Sequence, residues 1–247
     1  MRGSAFRNKV IGMNIVKGFI DFLFPHYCFN CGAESDGPLC EQCLAQVKQI
    51  SEFCPKCGKP LDSDVKPLCT REICAMDRLI GYDFEYARAA VYYNAPAKKL
   101  LHEFKYRYRK HIISPLYNAI EETVERILID DRIDLIVPVP LFYLKRWKRG
   151  FNQARIIAKH ISDSFNIPLF SALKRVKSTK MQAYLDFDAR FKNVRDAFKL
   201  KKKIDFYQKN VLLVDDIITT GNTLNECARI LKKYNAGKII AFAVARN

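Results

Sequence analysis

Eight of the nine cysteines lie between positions 28 and 74, and their spacing constrains the fold more than any other feature of the sequence. They form three Cys-x2-Cys pairs and a final Cys-x4-Cys pair. Two such pairs can complete a tetrahedron of thiolates around Zn²⁺. Gly32 and Gly58 follow two of the pairs, where a tight turn needs the freedom of glycine. The pattern predicts two structural zinc sites, with candidate ligands Cys28, Cys31, Cys40, Cys43, Cys54, Cys57, Cys69 and Cys74.

A disulfide framework would use the same eight cysteines. Disulfides are typical of secreted chains, and this sequence has no convincing secretory cleavage pattern, so zinc is the favoured interpretation. The spacing leaves the grouping of ligands open, because sequential sets (28, 31, 40, 43 and 54, 57, 69, 74) and interleaved sets both satisfy it. In the sequential grouping the second site is the weaker one, since it closes with the looser Cys-x4-Cys pair.

The charge of the chain points to an anionic partner. Its 42 Lys and Arg residues outnumber 26 Asp and Glu residues, which gives a formal charge of +16. Two zinc ions held by thiolates would lower this to about +12. A charge of this size predicts binding to nucleotide phosphates, nucleic acid or an acidic membrane surface. A generally solvated basic surface is the alternative.

The first part of the chain is predicted to hold one short helix. Residues 14–24 (NIVKGFIDFLF) contain Lys17 and Asp21 and form an amphipathic pattern. The residues before Met13 resemble an expression tag or an upstream start. Since no run of 18 or more apolar residues occurs, no segment is predicted to span a bilayer. We expect a cytoplasmic protein, with the inner face of the membrane as an alternative location.

From about position 83 the sequence alternates between strands and helices. Strands as uniformly apolar as these are covered on both faces, which predicts a mainly parallel α/β sheet with its ligand at the carboxyl ends of the strands. The sequence of residues 170–206 predicts an exposed hairpin or a flexible excursion. Cys227 is predicted to be a buried core thiol. The predicted strands are 88–93, 134–137, 211–214 and 239–245, and the predicted helices are 96–106, 114–129, 151–165 and 224–234.

The stretch VLLVDDIITTGNTL (211–224) places two carboxylates at the end of an apolar strand. Asp215 and Asp216 can accept hydrogen bonds from the vicinal hydroxyls of a sugar. The next residues lead into a helix start, where backbone N–H groups and the positive end of the helix dipole favour a phosphate. The segment predicts a ribose 5-phosphate site, with the phosphate bound by Thr219, Thr220, Gly221, Asn222 and Thr223.

This stretch resembles the thirteen-residue signature of type I phosphoribosyltransferases, and all thirteen positions conform. The resemblance implies that Asp215 and Asp216 hold the ribose hydroxyls of phosphoribosyl pyrophosphate (PRPP), that residues 219–223 hold its 5-phosphate, and that Mg²⁺ accompanies it. Purine-salvage members carry an Asp at the position of Thr219, which argues against that activity because threonine has no acid-base capacity near neutral pH. Orotate-type members also lack that Asp.

Two further segments resemble the ComF family, so the likeness covers nearly everything after residue 20. They are VPVPLFYLKRWKRGFNQA (137–154) and KRVKSTKMQAYLDFDARFKNVRDAF (174–198), with Thr179, Gln182, Leu185, Arg190, Asn193 and Phe198 at matching places. The resemblance implies a double zinc ribbon over 25–77, after a leader and helix over 1–24, and a phosphoribosyltransferase-like domain over 78–247. It also implies a role in handling single-stranded DNA with the uptake machinery during natural transformation.

Basic residues outside the signature have two interpretations. Lys145, Arg146 and Arg149 are candidate pyrophosphate ligands or part of a solvated surface. Lys105 is a further candidate, and the family resemblance favours a site role for it and for Tyr106. The run FKYRYRK (104–110) could stack bases and contact phosphates of single-stranded DNA, or its aromatic residues Phe104 and Tyr108 could belong to the core.

Three functions are consistent with these features. The first is a PRPP-binding protein that assists DNA handling. The second is an active transferase that displaces pyrophosphate at the anomeric carbon through an oxocarbenium-like state, with Mg²⁺ neutralising the leaving group. The third is a PRPP sensor without turnover whose zinc ribbons dock a partner protein. The sequence does not identify an acceptor substrate or a catalytic residue.

Overall fold

The computed structural model describes residues 27–61, 69, 74, 81–106, 110–177, 196–201 and 206–246. The strands are β1 (Tyr86–Tyr92), β2 (Leu135–Pro138), β3 (Leu173–Arg175), β4 (Phe198–Leu200), β5 (Val211–Ile218) and β6 (Ile239–Arg246). The helices are α1 (Glu41–Ala45), α2 (Ala95–Tyr106), α3 (Tyr117–Asp130), α4 (Tyr143–Arg149), α5 (Gln153–Phe165) and α6 (Asn222–Lys233), with a 3₁₀ helix over Lys110–Leu116.

Four strands form one parallel sheet in the order β1–β6–β5–β2. Val214 of β5 lies beside Pro138 of β2 on one side and beside Phe242 of β6 on the other. Strand β6 is buried along its whole length, as expected for its apolar run Ile239–Ala245, and the burial includes its last residue, Arg246. The prediction of a mainly parallel sheet is confirmed.

Both faces of the sheet are covered by hydrophobic side chains. Leu100, Ile120 and Ile157 come from α2, α3 and α5 and pack in the core on one face. Leu224 and Cys227 come from α6 and pack in the core on the other face, together with residues of the second zinc ribbon. Cys227 is fully buried, which confirms its prediction as a core thiol.

The zinc-binding segment covers the outer edge of β1. Ile50 donates its N–H to the carbonyl of Ala90 (3.1 Å), and Ala87 donates its N–H to the carbonyl of Lys56 (2.8 Å). At Gly58, where φ is +69°, a Cβ atom would lie only 2.4 Å from the Ala87 carbonyl oxygen. Glycine is therefore needed at this position both for its conformation and for the close approach of two backbones.

Several element bounds differ from the sequence predictions. Strand β5 continues through the acid pair to Ile218, because β6 remains beside it and supplies backbone partners to the end. The helix predicted over 114–129 begins only at Tyr117, since Pro115 lacks an N–H and disfavours α geometry at Ser114. Helix α4 was not predicted, and α5 begins two residues later than expected.

Within the segment 170–206, predicted as an exposed hairpin or a flexible excursion, two short strands pair as a small hairpin. Strands β3 and β4 pair in antiparallel fashion, with Arg175 beside Phe198. The predicted helix over 14–24 lies outside the described residues, as do Thr179, Gln182, Leu185, Arg190 and Asn193. Among the residues described here, no helix is both long enough and apolar enough to cross a membrane.

Candidate functional site

Asp215 and Asp216 lie near the carboxyl end of β5, in the middle of the parallel sheet. Successive side chains of a strand point to opposite faces, and both carboxylates are half-buried. The backbone N–H of Asp216 donates to Oδ1 of Asp215 (2.9 Å). Burial and then the adjacent Asp216 charge raise the pKa of Asp215 to about 8. The pair therefore carries an ionisation cost that a ligand or cation could relieve.

Lys105 lies against the acid pair from α2. Its Nζ atom is 2.9 Å from Oδ2 of Asp216, and their side chains are 22% and 16% exposed. Burial opposes the charge on Lys105, but the Asp216 carboxylate outweighs this effect and raises the pKa of the lysine. Lys105 is thus held as a cation beside the carboxylates.

Arg149 is a second cation near the same place. It lies at the end of α4 and is linked through Gln153 to the end of α2, the helix that carries Lys105. Nη1 of Arg149 donates to Oε1 of Gln153 (3.5 Å), and Nε2 of Gln153 donates to the carbonyl of Phe104 (3.4 Å). The end of α4, the start of α5 and the end of α2 therefore converge beside the acid pair.

The other predicted basic and aromatic residues differ in whether the structure describes them. The side chains of Lys145 and Arg146 on α4, and that of Tyr106 on α2, lie outside the described part, as does the segment 107–109 with Tyr108. Phe104 is fully buried in the core between α2 and α5, where its ring is 5.6 Å from that of Phe151. The core interpretation of Phe104 is therefore correct, and this side chain cannot stack on a base.

The loop after β5 leads directly into α6. Gly221 caps the helix with φ of +83°, and its carbonyl accepts the first helical hydrogen bond, from the N–H of Asn225 (2.8 Å). Within the described residues no side chain caps this helix, so its first N–H groups are suited to an anion. Tyr82 anchors the loop, because its hydroxyl donates to the carbonyl of Thr220 (2.6 Å).

Two side chains of this loop contain buried polar atoms without a described partner. They are the Oγ1 atom of Thr220 and both amide atoms of Asn222. Each such atom costs roughly 1–3 kcal/mol when left unsatisfied. Isolated cases in native proteins often mark a place that a ligand, ion or water completes. Thr219 is exposed and Thr223 half-buried, so the loop offers hydroxyl groups both inside and at its surface.

Arg175 is a site candidate that sequence reasoning missed. It lies on β3, and its guanidinium is 5.1 Å from the centre of the Phe198 ring. Burial lowers its pKa, and the charge of Asp215 opposes that effect. Its position in a Lys- and Arg-rich segment gave no signal, because only the pairing of β3 with β4 places its guanidinium over the Phe198 ring.

The cysteines form two clusters in sequential order. The four sulfur atoms of each cluster lie within 4.8 Å of one another, in the sets Cys28, Cys31, Cys40, Cys43 and Cys54, Cys57, Cys69, Cys74. This selects the sequential grouping over the interleaved one. The two knuckles share one construction, since Gly32 donates to the carbonyl of Cys28 (2.9 Å) and Gly58 donates to that of Cys54 (2.8 Å).

The surroundings of the two clusters shift thiol pKa values in both directions. Burial opposes ionisation of Cys28, but backbone N–H groups outweigh it and lower the pKa to about 6. At the second cluster, burial raises the pKa of Cys57 and the charge of Arg246 counteracts this. Arg246 is 1% exposed, and its Nε and Nη2 atoms have no partner among the described residues. Its charge would partly balance the −2 of a zinc ion held by four thiolates.

Comparison with protein families agrees with both parts of the molecule. Residues 19–75 match the double zinc ribbon domain, and residues 148–247 match the phosphoribosyl transferase domain. With the parallel sheet described above, these matches confirm the predicted fold class. The first match and the two four-cysteine clusters together support structural zinc.

Three curated relatives are similar over most of their length. Competence protein F of Haemophilus influenzae is 31% identical over 235 residues, which cover 92% of this chain and 98% of the relative. The DNA utilization protein YhgH of Salmonella typhi is 27% identical over 234 residues, 90% of this chain and 97% of the relative. The competence protein ComFC of Bacillus subtilis is 27% identical over 222 residues, 86% of this chain and 85% of the relative.

Proposed function

Because the chain belongs to the competence protein F (ComF) family, we propose that it binds PRPP at the end of β5 and takes part in handling single-stranded DNA during natural transformation. The observation that carries the first half is the acid pair Asp215–Asp216, half-buried at the end of a central strand and followed at once by a glycine-capped helix start. This arrangement offers carboxylates to a diol and amides to a phosphate within a few residues of each other.

Each part of PRPP has a counterpart among the residues of the site. The ribose hydroxyls would donate to Asp215 and Asp216, and the 5-phosphate would accept from the N–H groups of residues 219–223. The pyrophosphate would lie toward Lys105 and Arg149. Paired carboxylates also suit Mg²⁺, which binds through one or two of them together with substrate phosphates. When bound, the ion would neutralise charge on the pyrophosphate.

Binding would require an exchange of partners at Lys105. Its ammonium group neutralises Asp216, with only 2.9 Å between the two groups. A pyrophosphate carries more negative charge than one carboxylate, so it would attract Lys105 and leave Asp216 able to accept from the sugar. Lys105 would then be the counterion of Asp216 in the apo protein and would bind the pyrophosphate in the complex.

Calorimetric titration with PRPP and Mg²⁺ tests this proposal. The wild-type protein should bind with one site per chain and gain thermal stability on binding. The double variant Asp215→Asn, Asp216→Asn should lose the ligand-induced shift while its apo form still melts cooperatively. Asp130→Asn, at an exposed position at the end of α3, is the matched control. A double variant with an unchanged shift would contradict the assignment.

The DNA half of the proposal is supported by the names of the relatives and by the charge of this chain. Competence and DNA utilization are printed in the names of proteins similar to it over most of its length. A formal charge of +16 suits a polyanion. Single-stranded oligonucleotide should bind with an affinity that falls steeply as salt rises. Absence of binding at low salt would exclude this half of the proposal and leave PRPP binding untouched.

Transfer of the phosphoribosyl group is the second candidate function, favoured by the match over residues 148–247. In that case an acceptor would displace pyrophosphate at the anomeric carbon, and the acid pair would stabilise the cationic sugar. Incubation of labelled PRPP with Mg²⁺ and candidate bases should release pyrophosphate only if the protein turns over. PRPP binding without release, in the presence of every candidate base, would favour a sensor.

A further inference from the structure

Helix α4 presents two aromatic side chains to solvent. Tyr143 is 66% exposed and Trp147 is 80% exposed. They are four residues apart, so they lie on the same face of the helix, one turn from each other. The ring of Tyr143 is held by the buried Phe142, because the two ring centres lie 4.6 Å apart. Neighbouring exposed aromatic groups on a surface commonly mark a binding site.

A groove of about 620 Å³ opens beside this helix. Its lining includes Tyr143 at one side and, among the described residues, five cationic side chains and one acidic one: Arg155, Lys159, Lys174, Arg175, Lys201 and Asp163. Lys159 pairs with Asp163, and Arg155 donates to the hydroxyl of Ser171. The groove therefore keeps an excess of positive charge after this ion pair is taken into account.

The lining of the groove includes two further rings. Tyr117 and His160 both line it, and their rings stack with centroids 3.7 Å apart. Cations together with exposed aromatic rings are typical of surfaces that hold single-stranded nucleic acid, where rings stack on bases and cations contact phosphates.

We infer that α4 and this groove form the binding surface for single-stranded nucleic acid, with bases on Trp147 and Tyr143 and phosphates against Arg155, Lys159 and Lys174. The inference rests on the proposed role in DNA handling and gives that role a location. Pro138, the last residue of β2, lines the groove and lies beside Val214, the residue before the acid pair. Nucleic acid and PRPP would therefore occupy neighbouring parts of one sheet end.

An acidic membrane surface is the competing partner for a short basic helix with exposed rings. A bilayer surface is flat on this scale, whereas these cations line a concave groove. A flexible polyanion can enter such a site and neutralise them. The shape of the surface thus favours a nucleic acid strand over a membrane.

Trp147 is the single tryptophan of the chain, so its fluorescence reports on this surface without a label. Oligothymidylate should quench the emission at low salt. An abasic oligonucleotide of equal length, which has the phosphates without the bases, should quench it far less. Vesicles of phosphatidylserine and phosphatidylcholine test the competing membrane partner in the same fluorescence assay. Emission that responds to the vesicles and not to oligothymidylate would overturn the inference.

A labelled oligonucleotide followed by anisotropy then tests the residues directly. The double variant Tyr143→Ala, Trp147→Ala should bind about ten-fold more weakly or worse, given the usual contribution of stacking. Tyr234→Ala, an exposed tyrosine at the end of α6, should bind like the wild type. Melting shifts with PRPP should be equal in all three proteins, because neither substituted ring belongs to the proposed PRPP site.

The outcomes separate this inference from the proposed function. A wild-type protein that binds DNA while the double variant binds equally well would overturn the location and leave the DNA role standing. A wild-type protein that binds no single-stranded DNA at low salt would overturn both. Loss of the PRPP shift in the double variant would show that α4 acts through the PRPP site, and would contradict a separate surface.

Discussion

The ammonium group of Lys105 on α2 lies 2.9 Å from the carboxylate of Asp216 on β5. These residues are far apart in sequence, and the contact joins a helix on one face of the sheet to the end of a central strand. The pair places a cation at the mouth of the proposed PRPP site. It also means that one of the two acids has a protein partner before any ligand binds.

Replacing Lys105 with alanine should weaken PRPP binding by about ten-fold to 100-fold, the usual range for a lost charged hydrogen bond. The reason is that the pyrophosphate would lose its nearest cation. Calorimetry measures the change, with Lys99→Ala, exposed on the same helix, as the control. If Lys105 only competed with the ligand for Asp216, its removal would strengthen binding instead, and that result would contradict the proposed exchange of partners.

The stability of the protein should depend on pH through Asp215. Burial and then the charge of Asp216 raise its pKa from 3.8 to about 8. Between these values the folded state keeps a proton that the unfolded state has lost, so the free energy of unfolding should fall as pH rises. Relative to Asp215→Asn, the wild type should lose stability between pH 5 and pH 8, by at most about 1.4 kcal/mol per pH unit.

Urea denaturation at a series of pH values measures this difference. Using the variant as the reference removes the contribution of other titrating groups that the two proteins share. Curves that stay parallel from pH 5 to pH 8 would show that Asp215 ionises in the folded state as it does in water.

Gly221→Ala should disrupt the loop over residues 219–223, which we propose binds the 5-phosphate. The residue has φ of +83°, and a Cβ atom there would lie 3.0 Å from the hydroxyl of Tyr82. Left-handed backbone costs a residue with a side chain about 1–2 kcal/mol, and the contact with Tyr82 adds to that cost. We expect lower thermal stability and loss of PRPP binding. Gly37→Ala is the matched control, since its nearest neighbouring atom would be 3.8 Å away.

Metal content should follow the sequential grouping of the cysteines. The wild-type protein should contain about two zinc ions per chain on the rule of four ligands to each. Cys28→Ser with Cys43→Ser should remove about one ion, because both residues belong to the first cluster. Cys28→Ser with Cys57→Ser should remove both. Emission spectroscopy of reduced, dialysed samples gives the counts, and equal losses in the two double variants would contradict the grouping.

Chain-local patterns were sufficient to predict several features of the molecule. The Cys-x2-Cys pairs identified two metal clusters, because a knuckle is built from adjacent residues and its glycine. Continuous apolar runs predicted buried parallel strands, and Cys227 was assigned to the core from its place on a helical face. The signature at 211–224 indicated the acid pair and the loop because all its residues lie on one strand–turn–helix unit.

Tertiary structure decided what depends on contacts between distant segments. The sequence could not choose between a stacking and a core role for Phe104, since both use the same pattern, and packing against Phe151 buried it. Nor could it place Arg175 over the ring of Phe198, pair Lys105 with Asp216, or predict the basic groove that Tyr143 lines. Local periodicity fixes which face of an element is apolar, whereas the convergence of side chains from different elements depends on how the layers pack.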